Sequence, residues 1–422
     1  MRAVEMSVRR LFFLWAAGCV CVTTLASAPA PSPVPGLSLV RTGFENASPL
    51  QWDVDPDGTV NVRLLYDYER DSPNRAAGHF HFQLQGRPGT ELTVVLHNFD
   101  NVYNGKPGAA VSGKSACYLS QDGRRWRVIP AEFLPGDPLG SRLRVRVKLD
   151  GPSLYLARLE PYRLSDLDRL LDEVRKNPRA EVTEIGRTVE GRPLEIVRVG
   201  NPDAPHRVLL RARAHPWEPG GNWVVQGLVR SLLADDPVSR RCLQRYCVYV
   251  MPMANKDGVA RGGTRFNMQG RDLNRNWDQP ADPQLAPENH ALEAWIERTR
   301  AAGKAPNLAL CLHNDESGGL HISRPPVQGP GGYVERMKRL ERLLRRHTWF
   351  TEGSSGPPAS NVGTLGDGLV ERYGIDACVL EFNCNWAAGL NQPPTGEAWE
   401  QFGKGLREVF YDYFAPPAGA AE

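Results

Sequence analysis

Three side chains of metal-ligand type punctuate the middle of this sequence. His215 and Glu218 stand in Ala214-His215-Pro216-Trp217-Glu218, and His313 follows much later. Imidazole nitrogen and carboxylate oxygen both suit zinc at roughly 2.0–2.2 Å, and a catalytic ion keeps a position open beyond three protein ligands. A lone His is more often a hydrogen-bonded surface residue. Two of them with a Glu, each after an apolar run, point to one Zn2+ ion. Glu381 follows another apolar run, Ala377-Cys378-Val379-Leu380, where a carboxylate is either a buried ion-pair partner or a proton acceptor. Arg265, Asn274 and Arg275 come after the first two ligands. A planar guanidinium matches a carboxylate in bidentate fashion, so Arg275 with Asn274 suits the grip of an anionic substrate end.

These residues need elements to bring them together. Val208-Leu209-Leu210 runs on to Ala214 as a buried-strand pattern that ends at His215. Pro216 and Pro219 exclude a helix interior there. His215 and Glu218 therefore fall on a strand-end loop, before a helix over 222–234 with Val224, Val225, Leu228, Leu232 and Leu233 as its apolar face. Leu308 to Leu312 is a second apolar strand, with His313 at its end. Strands over 194–199, 207–213, 246–251, 307–312 and 377–382 alternate with helices over 222–234, 288–301, 333–346 and 396–413. A helix over about 165–176 precedes them, and Gly186 to Arg192 reads as a hairpin turn. This alternation predicts an α/β domain with a mixed, largely parallel central sheet flanked by helices. Ligands of such sheets sit at the carboxyl ends of strands.

The N-terminal third has a different period. Phe80, Phe82 and Leu84 alternate with His79, His81 and Gln83; Leu143, Val145, Val147 and Leu149 alternate with Arg142, Arg144, Arg146 and Lys148. Such runs between turn residues predict half-buried strands of an antiparallel β-sandwich. His79 and His81 are expected to be ordinary face residues, since no third ligand accompanies them. The cationic row reads as a solvated face that also blunts a sheet edge.

The 422 residues allow two or three domains, and a net charge of +3 argues against a nucleic-acid partner. Arg2, Arg9 and Arg10, the apolar run Leu11 to Val22 and then Ala26-Ser27-Ala28 form a secretory-signal pattern, so export is expected. Ala16-Ala17-Gly18-Cys19 leaves a lipoprotein site open, and no transmembrane span is expected in the mature chain. The expected divisions are a signal peptide at 1–28, a Pro-rich linker at 29–36, the sandwich at 37–162, a catalytic domain at 163–415 and a tail at 416–422. Six cysteines remain past the signal, free to pair in an exported protein. A cysteine nucleophile is disfavoured, because cysteine is commonly a small buried apolar residue.

The ordered set His215-x-x-Glu218, Asn255-x-Asp257-Gly258, Arg265, Asp272-Leu273-Asn274-Arg275, His313 and Val379-Leu380-Glu381-Phe382 resembles the zinc carboxypeptidase family. The β region resembles the N-terminal domain of that family's cytosolic-carboxypeptidase-like branch. It does so in Phe44-Glu45-Asn46, Phe80, Phe82, His97-Asn98-Phe99, Trp126, Tyr155-Leu156-Ala157 and Glu160-Pro161-Tyr162. The resemblance implies hydrolysis of C-terminal peptide bonds in peptides or proteins, with zinc on His215, Glu218 and His313. It further implies Glu381 as general base, Arg265 at the developing oxyanion, and Asn274 with Arg275 on the terminal carboxylate. Two features depart from the family. No tyrosine lies in Pro357 to Asp367, so either the family tyrosine's role is lost or another tyrosine such as Tyr333 fills it, Tyr373 being too close to Glu381. The cation that deglutamylating relatives carry is missing from Thr364-Leu365-Gly366-Asp367, so Asp367 either favours a basic substrate side chain or caps a turn. Two rival readings remain: a zinc amidohydrolase of small N-acyl amino acids, and a non-enzymatic surface-binding protein with a vestigial zinc site.

Overall fold

The computed structural model describes residues 34–70, 74–103, 105–136, 140–324, 331–356 and 363–416. The expected signal segment, most of the linker and most of the tail lie outside them. The described residues up to 157 form two five-stranded sheets and a smaller four-stranded one. One large sheet orders Leu37–Arg41, His81–Gly86, Ser153–Ala157, Ala116–Ser120 and Arg127–Pro130. The other orders Glu132–Leu134, Arg142–Lys148, Glu91–His97, Val60–Leu64 and Leu50–Val54. Phe80, Phe82, Leu84, Leu154 and Leu156 from the first meet Val94, Leu96, Leu143 and Val145 from the second in one apolar core. This is the expected sandwich, antiparallel except where Val60–Leu64 runs parallel to Glu91–His97.

Two expectations about its faces need correction. Arg142–Lys148 is not an edge strand; it pairs on both sides, and the three-residue Glu132–Leu134 forms that edge. His79 and His81 are not on an exposed face. They are buried, with His79 Nε2 3.0 Å from Asn46 O and His81 Nδ1 3.2 Å from Asn46 Oδ1.

The α/β layer holds an eight-stranded sheet. Its order is Ala180–Arg187, Pro193–Val199, Tyr246–Met251, His206–Ala212, Leu308–Asp315, Asp376–Asn383, Gly319–Ile322 and Ser354–Ser355. The four middle strands, from Tyr246–Met251 to Asp376–Asn383, are parallel, and antiparallel strands flank them. These middle strands read as continuous buried apolar runs because helices cover both faces of a parallel sheet. The expected helices are present as Leu164–Arg175, Gly220–Leu233, Pro287–Ala301, Tyr333–His347 and Gly396–Tyr413. Pro237–Arg245, Lys256–Arg261 and Leu365–Tyr373 are additional.

Chain order and spatial order part between His206–Ala212 and Leu308–Asp315. The strand after the first goes to one side of it and the next goes to the other. That reversal opens a crevice at the strands' carboxyl ends. His215 follows one of these strands and His313 lies near the end of the other.

The sandwich packs directly onto this layer. Tyr118, from the strand Ala116–Ser120, sits in the apolar core of the α/β layer and its hydroxyl bonds Pro394 O. The buried Arg158 guanidinium donates to Asn385 Oδ1 at 2.6 Å, just past the Glu381 strand. Ser165 N donates to Glu45 Oε1 at 2.8 Å.

Candidate metal centre and cleft

The loop carrying His215 and Glu218 is shaped by Arg213. This residue takes a positive φ of 61°, rare for a side-chain-bearing residue. Its buried guanidinium holds the loop, donating to Pro216 O at 2.8 Å and to Asn222 Oδ1 at 3.0 Å. His313 arrives from the neighbouring strand, in direct register with Glu381 on the next one.

The three expected ligands converge. Glu218 Oε1 lies 2.7 Å from His215 Nδ1 and Oε2 lies 2.7 Å from His313 Nδ1, while the two Nδ1 atoms are 3.2 Å apart. All three donors fall within 4.8 Å of one another and are buried. The donor chemistry fits a zinc ion. His215 Nε2 lies 3.0 Å from Asp272 Oδ1, so its proton belongs there and its Nδ1 lone pair is left for a metal. His313 Nε2 faces Cys311 Sγ at 3.1 Å. Burial pushes the Glu218 carboxyl up, but the two imidazoles pull it below the usual range, to about 2. Asp272 is held lower still: Arg265 and His215 outweigh its burial.

A cleft of about 310 Å³ opens above this group. Glu381, Arg265, Asn274, Arg275 and Asp367 all line it with His215 and Glu218, while His313 lies buried beneath. Glu381 Oε2 is buried without a hydrogen-bond partner among the described residues. Burial raises its pKa well above the carboxylate range; His313 lowers it, and Glu218 and Asp315 raise it further. A second group, Asp315, His321 and Glu381, also brings three donors together. It is a weaker candidate, because Asp315 already accepts from Ser317 N at 2.9 Å and His321 Nδ1 is 2.7 Å from Ser355 Oγ.

The cationic side of the cleft is built from both regions of the chain. Arg265 Nε donates to Asp272 Oδ2 at 2.8 Å, so one carboxylate ties Arg265 to the candidate ligand His215. Arg275 donates through Nη1 to Asn274 O at 2.8 Å and through Nη2 to the Tyr103 hydroxyl. Burial lowers the Arg275 pKa, opposed by Glu69, Glu381 and Asp367. Asn274 Oδ1 accepts from Leu365 N at 3.0 Å, fixing the start of the helix Leu365–Tyr373 to Asn274.

Other expected residues fall elsewhere. Tyr333 does not reach the cleft: its buried hydroxyl donates to Ala377 O at 2.6 Å and accepts from Ser323 N at 2.9 Å. Part of the tyrosine-free stretch after Pro357 lies outside the described residues. Asp367 lines the cleft, yet its Oδ2 accepts from Thr364 N at 3.3 Å while Thr364 Oγ1 accepts from Asp367 N at 3.2 Å, closing a capping box, and its Oδ1 accepts from Arg324 N at 3.0 Å. The six described cysteines are free and buried. Asn255 and Asp257 are scaffolding. The first caps the helix Lys256–Arg261, and the second receives Thr188 Oγ1 at 2.7 Å and Arg192 Nη1 at 2.6 Å. Asp272, which contacts His215 and Arg265, and Tyr103, which lines the cleft, were not singled out from sequence. Asp272 stands inside the quoted Asp-Leu-Asn-Arg motif, whereas nothing in the local sequence marks Tyr103.

An α/β sheet with a His–Glu–His group at its switch point, beside a lone carboxylate and two arginines, defines a candidate zinc centre facing a substrate cleft. The family model described as zinc carboxypeptidase matches residues 167–306. Danio rerio cytosolic carboxypeptidase 2 is 35% identical over 139 residues, 30% of this chain and 19% of that protein. Mus musculus cytosolic carboxypeptidase 4 is 26% identical over 291 residues, 62% of this chain and 25% of that protein. The chain thus spans about a quarter or less of these curated relatives. Among solved structures, a Burkholderia cenocepacia metallo-carboxypeptidase aligns with TM-score 0.77 at 22% identity, covering 89% of this chain and 98% of its own. A Pseudomonas aeruginosa metallo-carboxypeptidase, solved with (2-guanidinoethylmercapto)succinic acid, aligns with TM-score 0.72 at 22% identity, covering 89% and 100%. These two share the fold. Residues 167–306 thus resemble the zinc carboxypeptidase family, whose cofactor is zinc.

Proposed function

We propose that this chain is a metallocarboxypeptidase that hydrolyses the C-terminal bond of peptides or proteins. The observation that carries the reading is the shared cleft. It sets the His215 and Glu218 donors, with His313 beneath them, beside the Glu381 carboxylate, whose Oε2 has no partner among the described residues, and the Arg275 guanidinium. Zinc, when bound, supplies Lewis acidity and makes a water acidic enough to attack near neutral pH. The remaining work falls to the chain. Arg275 and Asn274 hold the terminal carboxylate and so orient the last peptide bond. Glu381 takes the proton of the attacking water and returns it to the departing amine. Arg265, fixed by Asp272, faces the negative charge that develops on the carbonyl oxygen. Asp272 also orients His215 through Nε2.

Arg275→Ala tests the reading. Turnover of free-carboxylate peptides is expected to fall about 100-fold, the size of a buried charge-pair loss of about 3 kcal/mol, with zinc content unchanged. Equal turnover of a peptide and its C-terminal amide by the unaltered protein would remove the clamp from the account. N-acyl amino acids assayed alongside separate peptidase from deacylase activity. Action outside the cytoplasm is proposed from the residues of 1–28 alone, and cell fractionation checks it.

A further inference from the structure

Tyr103 belongs to the small four-stranded sheet of the N-terminal region, yet it lines the cleft with Arg265 and Arg275. It ends the strand Asp100–Tyr103, which turns back into Lys106–Ala109. The strand is anchored at its base, where Asp100 Oδ2 accepts from Arg75 Nη2 at 2.9 Å and Asn101 Oδ1 accepts from Ala77 N at 2.7 Å. In the same sheet, Asp67 Oδ2 accepts from the backbone N–H groups of Thr264 and Arg265 at 2.8 and 2.6 Å. One sheet thus fixes both the Arg265 backbone and the tyrosine facing its side chain.

The contacts at Tyr103 are those of a donor prepared for an anion. Its hydroxyl accepts from Arg275 Nη2, and Arg265 Nη2 lies 3.4 Å away. A hydroxyl has two acceptor sites and one proton. With guanidinium groups on the acceptor side, the proton is what remains to offer. The Arg265 Cζ atom lies 4.7 Å from the ring centroid and that of Arg275 lies 5.6 Å away. An aromatic face beside two cations offsets part of their mutual repulsion.

The geometry points to Tyr103 as a substrate-binding residue that completes the carboxylate clamp. Its hydroxyl donates to the terminal carboxylate, and its ring keeps Arg265 and Arg275 side by side. The assignment rests on the carboxypeptidase reading and adds to it a determinant from outside the α/β layer.

Tyr103→Phe is the test, because it keeps the ring and removes only the hydroxyl. The best substrate from a C-terminally varied peptide library and its amide are compared in the zinc-loaded full chain. For the free acid, kcat/KM is expected to fall about tenfold, the effect of losing one hydrogen bond to a charged group, with the change in KM. The amide is expected to be unaffected, so the acid-over-amide preference shrinks by the same factor. Calorimetric binding of the free acid to zinc-stripped protein is expected to weaken equally, with the melting temperature unchanged. An unaltered preference in Tyr103→Phe, or an equal loss on acid and amide, overturns the assignment while leaving the peptidase reading in place. No preference in the unaltered protein overturns the clamp and this assignment together.

Discussion

Glu381 carries a buried carboxylate oxygen with no hydrogen bond among the described residues, a state that costs about 1–3 kcal/mol unless a ligand relieves it. A structural carboxylate in a cleft wall would have acquired a donor; a proton acceptor must keep an oxygen free of one. Glu381→Gln is therefore expected to lower kcat by roughly 10²- to 10⁴-fold while the chain still binds one zinc. Retained turnover at full zinc content would sink the assignment. The residues most readable in the sequence were those with distinctive chemistry after an apolar run: His215, Glu218, His313 and Glu381. Arg265, Asn274 and Arg275 also reached the cleft. Tyr333 was misplaced because a tyrosine's number says nothing of its hydroxyl's direction, and here that hydroxyl closes core hydrogen bonds. Tyr103 was invisible because it comes from another sheet, brought to the cleft only by tertiary packing.

The elements carrying the site were legible where they were long and apolar. The central strands and the helices of 12 or more residues fell within a few positions of expectation. Lys256–Arg261, Pro237–Arg245 and Leu365–Tyr373 span six to nine residues, too few turns for a 3.6-residue period to stand out. One close helix contact was equally hidden. Gly220–Leu233 and Gly396–Tyr413 touch backbone to backbone: a Cβ on Gly403 would stand 2.0 Å from Val224 O, and one on Gly227 2.0 Å from Glu400 O. Gly403→Ala gains about 1 kcal/mol of helix propensity, but backbone cannot yield as a flexible side chain would, and overpacking costs about 1–3 kcal/mol. A net loss of stability is expected, read as a lower melting temperature at equal zinc occupancy. An unchanged or higher melting temperature would show that the two helices slide apart freely.

Across the whole molecule, the apolar cores of the sandwich and of the α/β layer meet through buried polar groups, among them His79 and His81. Burial lowers the His79 pKa from 6.5 to about 4 and drives His81 well below its usual value. Above pH 6.5 both folded and unfolded imidazoles are neutral and the pair has no effect. As the pH falls, the unfolded chain takes up protons that the folded chain refuses, so stability drops until His79 itself protonates near pH 4. The shift at His79 corresponds to about 3 kcal/mol. Urea unfolding of His79→Gln at pH 7 and pH 5 is expected to show a smaller acid loss than the unaltered chain, and parallel losses would refute the assignment. The small sheet bearing Asp67 and Tyr103 has a different consequence. A substitution in the N-terminal third could retune which chain ends are accepted while every zinc ligand stayed intact. Grafting one relative's front half onto another's back half should therefore yield a hybrid that loads metal normally but has altered selectivity.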